Sequence, residues 1–286
     1  MSYYLALVRR EWLEHRSMLL WVPVTVTVLL ITAAIVAASF GAPRMAEQTG
    51  GDPGMTGLQL RLLLQMAARP LVVLWFLTAG FYLLGTLYDE RRDRTILFWK
   101  SLPVSDAEVV LAKLSIALLV APAVALLCIS LLHLSATALV ASACPCGELG
   151  PGTVFREARL GSGTLHWLVG VLTQSAWWLP LWGWLLLVSA VAPRLPIVWA
   201  LLVPLLTALL ERLAFGSSWL WGVLARRIVS PALPVHERVD AVGIGQATAI
   251  GDTLALWLSA ELWLGLVAGA LFLAATVRLR RRLNEL

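Results

Sequence analysis

Between residues 87 and 106 the chain sets Asp89, Glu90, Arg91, Arg92, Asp93, Arg94, Lys100 and Asp106 around an aromatic pair, Phe98 and Trp99. Apolar runs long enough to cross a bilayer flank this stretch on both sides. A charged segment in that position lies in water at a membrane face. Phe98 and Trp99 beside Lys100 predict a short amphipathic helix there rather than a plain solvated turn. Such a helix, held between two spans, docks on a soluble partner and passes force into the membrane. Its chemistry is recognition and mechanics, not bond-making.

Catalytic patterns are missing elsewhere. The only lysines are Lys100 and Lys113, and neither follows the glycine-rich run of a P-loop, so the chain does not hydrolyse ATP by that route. His15, His133, His166 and His236 are scattered, with no paired-histidine zinc motif. No nucleophile elbow marks a reactive serine. Cys144 and Cys146 are too few for a zinc site and too close for an unstrained mutual disulfide, and Cys128 reads as a small apolar residue. Ionisable residues at membrane depth are costly and stand as functional candidates by default. Glu211 with Arg212, and Glu261, are the ones here. The blander alternatives are an outer-interface position reached by snorkelling for the first two and a later helix start for Glu261. His133 reads as a helix-packing residue.

The elements that must carry these residues follow from composition. The 286 residues are 59% hydrophobic and only 14% charged, against about 25% charged in soluble domains. This is an all-α polytopic membrane protein by composition, forming one transmembrane domain over 1–286. Six segments reach spanning length: 19–40, 70–88, 114–141, 165–191, 197–215 and 254–277. The net charge of +5 needs no nucleic-acid partner, because basic residues gather on the cytoplasmic side of membrane proteins. Arg9, Arg10 and Arg16 precede the first span, and Arg91, Arg92, Arg94, Lys100 and Lys113 separate the second and third. Arg194 follows the fourth, and Arg278, Arg280, Arg281 and Arg282 follow the sixth. An even number of spans puts all of them on one side, which places both termini in the cytoplasm.

Smaller features refine this plan. Tyr4, Leu5, Val8 and Trp12 recur at helical spacing and predict an interfacial helix over 1–17, its apolar face in lipid and Arg9, Glu11, Glu14 and His15 on the rest of its surface. Residues 58–68 extend the second helix outward. The outer loop 217–253 carries Trp219 and Trp221, which suit the headgroup level, and dips back as short helices. Pro122, Pro180 and Pro204 mark hinges inside spans. Gly265 and Gly269, four residues apart, permit close helix contact. Trp177, Trp178, Trp182 and Trp184 are expected to face lipid, with a substrate path as the alternative.

An interfacial helix, six spans and a charged loop over 89–113 together resemble the permease subunit of type-2 ATP-binding cassette (ABC) exporters. Tyr88 to Ser105 looks like that family's coupling segment, with Glu90, Thr95 and Leu102-Pro103-Val104-Ser105 as its most typical elements, and Val109 to Leu114 fits the entry to the next span. The topology covers nearly the whole chain, the specific motif only residues 88–114. The resemblance implies a machine of two permeases, a homodimer, and two cytoplasmic ABC ATPase subunits in the inner membrane of a bacterium. The arginine-rich, lysine-poor usage suits a GC-rich genome. No cofactor sits on this chain, and ATP and magnesium belong to the ATPase. Phe98 and Trp99 would insert into a groove on that partner, while Glu90, Arg91, Arg94, Thr95, Lys100 and Pro103 shape and orient the segment. The first, second and fifth spans would face each other across the dimer, with Thr25, Thr27, Gln65, Thr78, Thr207, Glu211 and Glu261 as sparse polar contacts along a path for an amphipathic substrate. The alternative is a regulatory or immunity membrane protein that binds an ATPase but transports nothing. Substrate-stimulated ATP hydrolysis separates the two.

Overall fold

Backbone amides in an apolar layer have no water to bond with and must bond to one another, and the long apolar runs are helical accordingly. In the computed structural model the described residues are 3–48, 57–93, 104–143, 151–228, 232–233, 237–239, 245–247 and 250–282. Helix α1 (Tyr3–Arg16) passes through one π turn (Ser17–Trp21) into α2 (Val22–Gln48). Next come α3 (Gly57–Arg92) and α4 (Asp106–Ser115), which runs through a second π turn (Ile116–Val120) into α5 (Ala121–Ala143). The remaining helices are α6 (Pro151–Ala158), α7 (Leu160–Trp177), α8 (Leu179–Val191), α9 (Pro196–Phe215), α10 (Trp219–Ile228), α11 (Ile250–Ala255) and α12 (Ala260–Arg282). A three-residue antiparallel pair, β1 (Glu237–Val239) and β2 (Gly245–Ala247), is the sole sheet among the described residues.

Among the described residues five helices are long and apolar enough to cross a membrane: Tyr4–Ser39, Leu60–Arg92, Asp106–Ser142, Pro196–Phe215 and Ala260–Arg282. The pair α7 and α8, bent by 47° at Trp178, makes a sixth if it is one span. The chain is therefore built as a multi-pass membrane protein. Pro180, in the first turn of α8, lacks the amide that would continue the ladder across this bend.

Several boundaries differ from the sequence expectation. The N-terminal helix and the first span form one continuous rod rather than two elements, because a π turn absorbs the junction without breaking the helix. The loop expected over 89–113 is helical at both of its ends: α3 continues to Arg92, and α4 starts at Asp106. The reason at the second end is local. Ser105 Oγ accepts from the Glu108 amide (3.2 Å), and the Glu108 carboxylate accepts from the Ser105 amide (2.8 Å), a reciprocal cap that fixes the helix start. The last long helix begins at Ala260, six residues later than expected, so Glu261 lies in its first turn.

α12 packs on α8, α3 on α8 and α5, α2 on α5, and α1 on α4. The centre is aromatic. Trp178 lies 4.9 Å from both Trp75 and Phe76, and Trp182 lies 5.5 Å from Trp178 and 5.4 Å from Phe76. Trp177, Trp178 and Trp182 are thus interior residues, not lipid-facing as the sequence suggested. Offset and edge-on ring pairs of this kind add to the area they bury, which favours placing them between helices. Gly183 and Gly269 let α8 and α12 touch: a β-carbon at Gly183 would stand 2.9 Å from the Gly269 carbonyl oxygen. Outward faces are apolar, as at Leu201, Leu205, Leu210 and Leu213 of α9.

Candidate functional site

Where the two flanks of segment 94–103 enter the bundle, five charged side chains from four helices meet, all buried except the half-buried Asp106. Lys113 of α4 is 1% exposed, and its ammonium spends all three of its protons. It donates to Glu11 Oε1 of α1 (2.7 Å), Thr86 Oγ1 of α3 (2.7 Å) and Glu90 Oε1 of α3 (2.8 Å). The second Glu90 oxygen accepts from Arg280 Nη1 of α12 (2.9 Å), and Arg280 Nε donates to Asp106 Oδ1 at the start of α4 (2.8 Å). Tyr82 donates its hydroxyl proton to the other Glu11 oxygen (3.0 Å). His15 stacks edge-on against Tyr82 at 4.8 Å and brings its Nδ1 to 4.0 Å from Glu11.

Burial of this kind is costly unless every charge is paired and hydrogen-bonded. Here the chain of contacts is continuous from Glu11 through Lys113, Glu90 and Arg280 to Asp106. Among the described residues of the cluster three acids face two bases. Glu90 precedes segment 94–103, Asp106 follows it, and both are tied to the same arginine. The two ends of the segment are pinned to each other and, through Lys113, to α1.

A second tether lies nearby. Arg91 Nη2 donates to the Ser189 and Ala192 carbonyls (3.0 and 2.8 Å), which belong to the end of α8. A guanidinium there satisfies carbonyls that the helix leaves open and suits the negative end of its dipole. Glu90 and Arg91 therefore face different neighbours, as adjacent helical residues must.

Of the residues singled out from sequence, Arg94, Thr95, Phe98, Trp99, Lys100 and Pro103 lie outside the described residues. Glu90 and Arg91 are brought to this end of the bundle as buried or half-buried anchors. The proposed substrate-path residues are not brought together. Thr25 is exposed on α2. Thr27 and Thr78 are buried, and each returns its hydroxyl proton to its own helix, at Pro23 (2.7 Å) and Leu74 (2.9 Å). Gln65 is partly buried on α3. Glu211 is a helix cap: its carboxylate accepts from the Trp219 and Leu220 amides (both 2.9 Å) and contacts Ser217, holding the start of α10. Thr207 and Glu261 do share a feature, a cleft of about 760 Å³ between α8, α9, α10 and α12 at the other end of the bundle. His133 donates from Nε2 to the Leu64 carbonyl (3.0 Å), the packing role expected of it.

Sequence reasoning put Glu11 on a solvated helix face. It is instead 4% exposed, because the stripe Tyr4, Leu7, Val8 and Glu11 faces α4 rather than lipid. A signal was present: Glu11 continues the apolar 4, 7, 11 spacing, and Lys113 is one of two lysines, set among Val109, Val110, Leu111 and Leu114. Arg280 gave none, since it sits in a basic run that reads as a topology marker. Among the described residues no three histidine, cysteine or acidic side chains gather to hold a metal. No protein-family model matches the chain, and neither a curated protein nor a solved structure matches it.

Proposed function

We propose that this chain is the membrane-spanning permease subunit of an ABC exporter, driven by a separate cytoplasmic ATPase that holds the ATP and magnesium. The observation that carries the reading is the pinning of both ends of segment 94–103 to Arg280. A loop that receives force from a partner must not dissipate it at its roots. Salt bridges at both roots, buried at Glu90 and half-buried at Asp106 and tied to α1, α3, α4 and α12, turn displacement of the segment into displacement of helices. The exposed apolar faces of α2 and α9 are compatible with a second copy across the membrane, and the resemblance places the cargo path between copies. The sparse polar content of those helices suits an amphipathic cargo better than a small ion, which needs closely spaced oxygen ligands.

The test is functional. The chain is purified from its native membrane under mild conditions, and co-purifying ABC ATPase is identified and reconstituted with it in proteoliposomes. The expected result is an ATPase that binds this chain and whose turnover rises with an exported amphiphile. Absence of any bound ATPase ends the proposal, and a bound ATPase with no transport favours the regulatory alternative.

Orientation is part of the same reading. With Cys144 and Cys146 replaced, single cysteines near residues 95, 194 and 284 are expected to resist an impermeant thiol reagent in intact spheroplasts. Cysteines near 52 and 240 are expected to react. Labelling at 95 from outside would reverse the assigned orientation.

A further inference from the structure

The cleft between α8, α9, α10 and α12 lies at the opposite end of α12 from the buried ion cluster. Glu261 and Arg280 are 19 residues apart on that helix, roughly 28 Å at the helical rise, close to the thickness of a hydrocarbon core. The cleft mouth is therefore at the far membrane face. From Glu261 the cleft reaches inward to Phe272, about 16 Å along α12. Its inner wall is apolar, with Trp184, Val203, Leu224 and Phe272. Its mouth carries Arg226, Arg227 and Glu261.

The two arginines are held differently. Arg227 lies in the notch left by Gly265, where a β-carbon would collide with its guanidinium. It stacks 4.3 Å from the Trp177 ring, donates to the Trp177 carbonyl (3.2 Å) and also contacts the Glu261 carbonyl. Gly265 thus makes room for a cation and not, as its spacing with Gly269 suggested, for a helix. Arg226 is 56% exposed, with its Nε 3.5 Å from a Glu261 oxygen, a loose surface pair of the kind worth little. Two guanidiniums against one carboxylate leave the mouth positive. Trp177, buried in the wall, has an indole N–H with no hydrogen-bond acceptor among the described residues. Trp219 of α10 lines the cleft and is exposed, as aromatic side chains at the headgroup level are.

We propose that this cleft binds one bilayer phospholipid with a net-negative headgroup, an acyl chain in the apolar slot and its phosphate on Arg226 at the Arg227 lip. A guanidinium grips phosphate through paired, charge-assisted hydrogen bonds and exchanges a loose carboxylate partner for it. The inference rests on the membrane reading and not on the exporter reading, so no ATPase enters its test. The full-length chain in detergent is titrated with phosphatidylglycerol or with phosphatidylcholine of the same chains, and bound lipid is counted by native mass spectrometry. Both lipids offer a phosphate, but the choline cation of phosphatidylcholine is repelled by the positive mouth, so one phosphatidylglycerol is expected to bind about tenfold more tightly. Arg226→Ala should reduce it to the phosphatidylcholine level. Ala268→Trp, which fills the cleft from α12, should abolish binding of both lipids with the thermal unfolding midpoint retained. Equal binding of the two lipids overturns the headgroup assignment, whether or not Ala268→Trp blocks it. Preferential phosphatidylglycerol binding that survives both substitutions overturns the location.

Discussion

Lys113→Met is expected to destabilise the bundle by about 3–5 kcal/mol, the cost of leaving buried charges without a partner. Glu11 and Glu90 both lose the ammonium, and Glu11 retains only the Tyr82 hydroxyl and the more distant His15. Whole-protein stabilities are on the order of 5–15 kcal/mol, so this one change consumes much of the margin. A fluorescence-monitored thermal melt in detergent reads it directly, as a large fall in the midpoint or a loss of monodisperse protein. The same principle predicts a rescue. Adding Glu11→Gln and Glu90→Gln to Lys113→Met removes the orphaned charges, and most of the stability should return, because buried ion sets are frequently replaceable by neutral groups. Arg280 keeps Asp106 in that triple variant. An unchanged melt for Lys113→Met alone would mean that the ammonium is not enclosed by these partners.

The double change Phe98→Ala/Trp99→Ala is expected to release the ATPase while the permease still inserts and melts normally. Buried aromatic anchors at interfaces cost about 2 kcal/mol or more when truncated, about thirtyfold in affinity for one of them. Both residues follow the Arg91 and Glu90 anchors by fewer than ten positions, in a segment whose roots the ion cluster holds. The measurement is co-purification of the ATPase with tagged permease, together with transport in proteoliposomes. Retained co-purification and retained transport in the double variant would remove Phe98 and Trp99 from the coupling role. Loss of ATPase binding with an unchanged melt separates this outcome from the Lys113 effect, which is structural.

Hydropathy alone determined where the long helices run, because a spanning helix needs about 20 apolar residues in sequence and nothing from elsewhere in the chain. The outward extension of the second helix by residues 58–68, the break near Pro180 and the short helices in 217–253 were legible for the same local reason. The start of α4 was missed although its cause is local: the cap lies in Ser105 and Glu108, three residues apart, inside the stretch read as loop. The absence of a P-loop and of nucleophile motifs is a property of the sequence and needed no structure. The ion cluster was another matter. Glu90 and Arg280 are 190 residues apart, and Glu11 and Lys113 are 102 apart. Whether such charges meet depends on how each helix is rotated about its axis and which neighbour it packs against. A hydropathy profile is blind to both. Glu11 could stand on a helix facing lipid or facing α4, and only the packing of α1 on α4 chose the second. Gly265 shows the same division: the sequence gives a missing side chain, and only the tertiary structure says that the guanidinium of Arg227 occupies the space, because that choice rests on where α10 is docked rather than on anything local to α12.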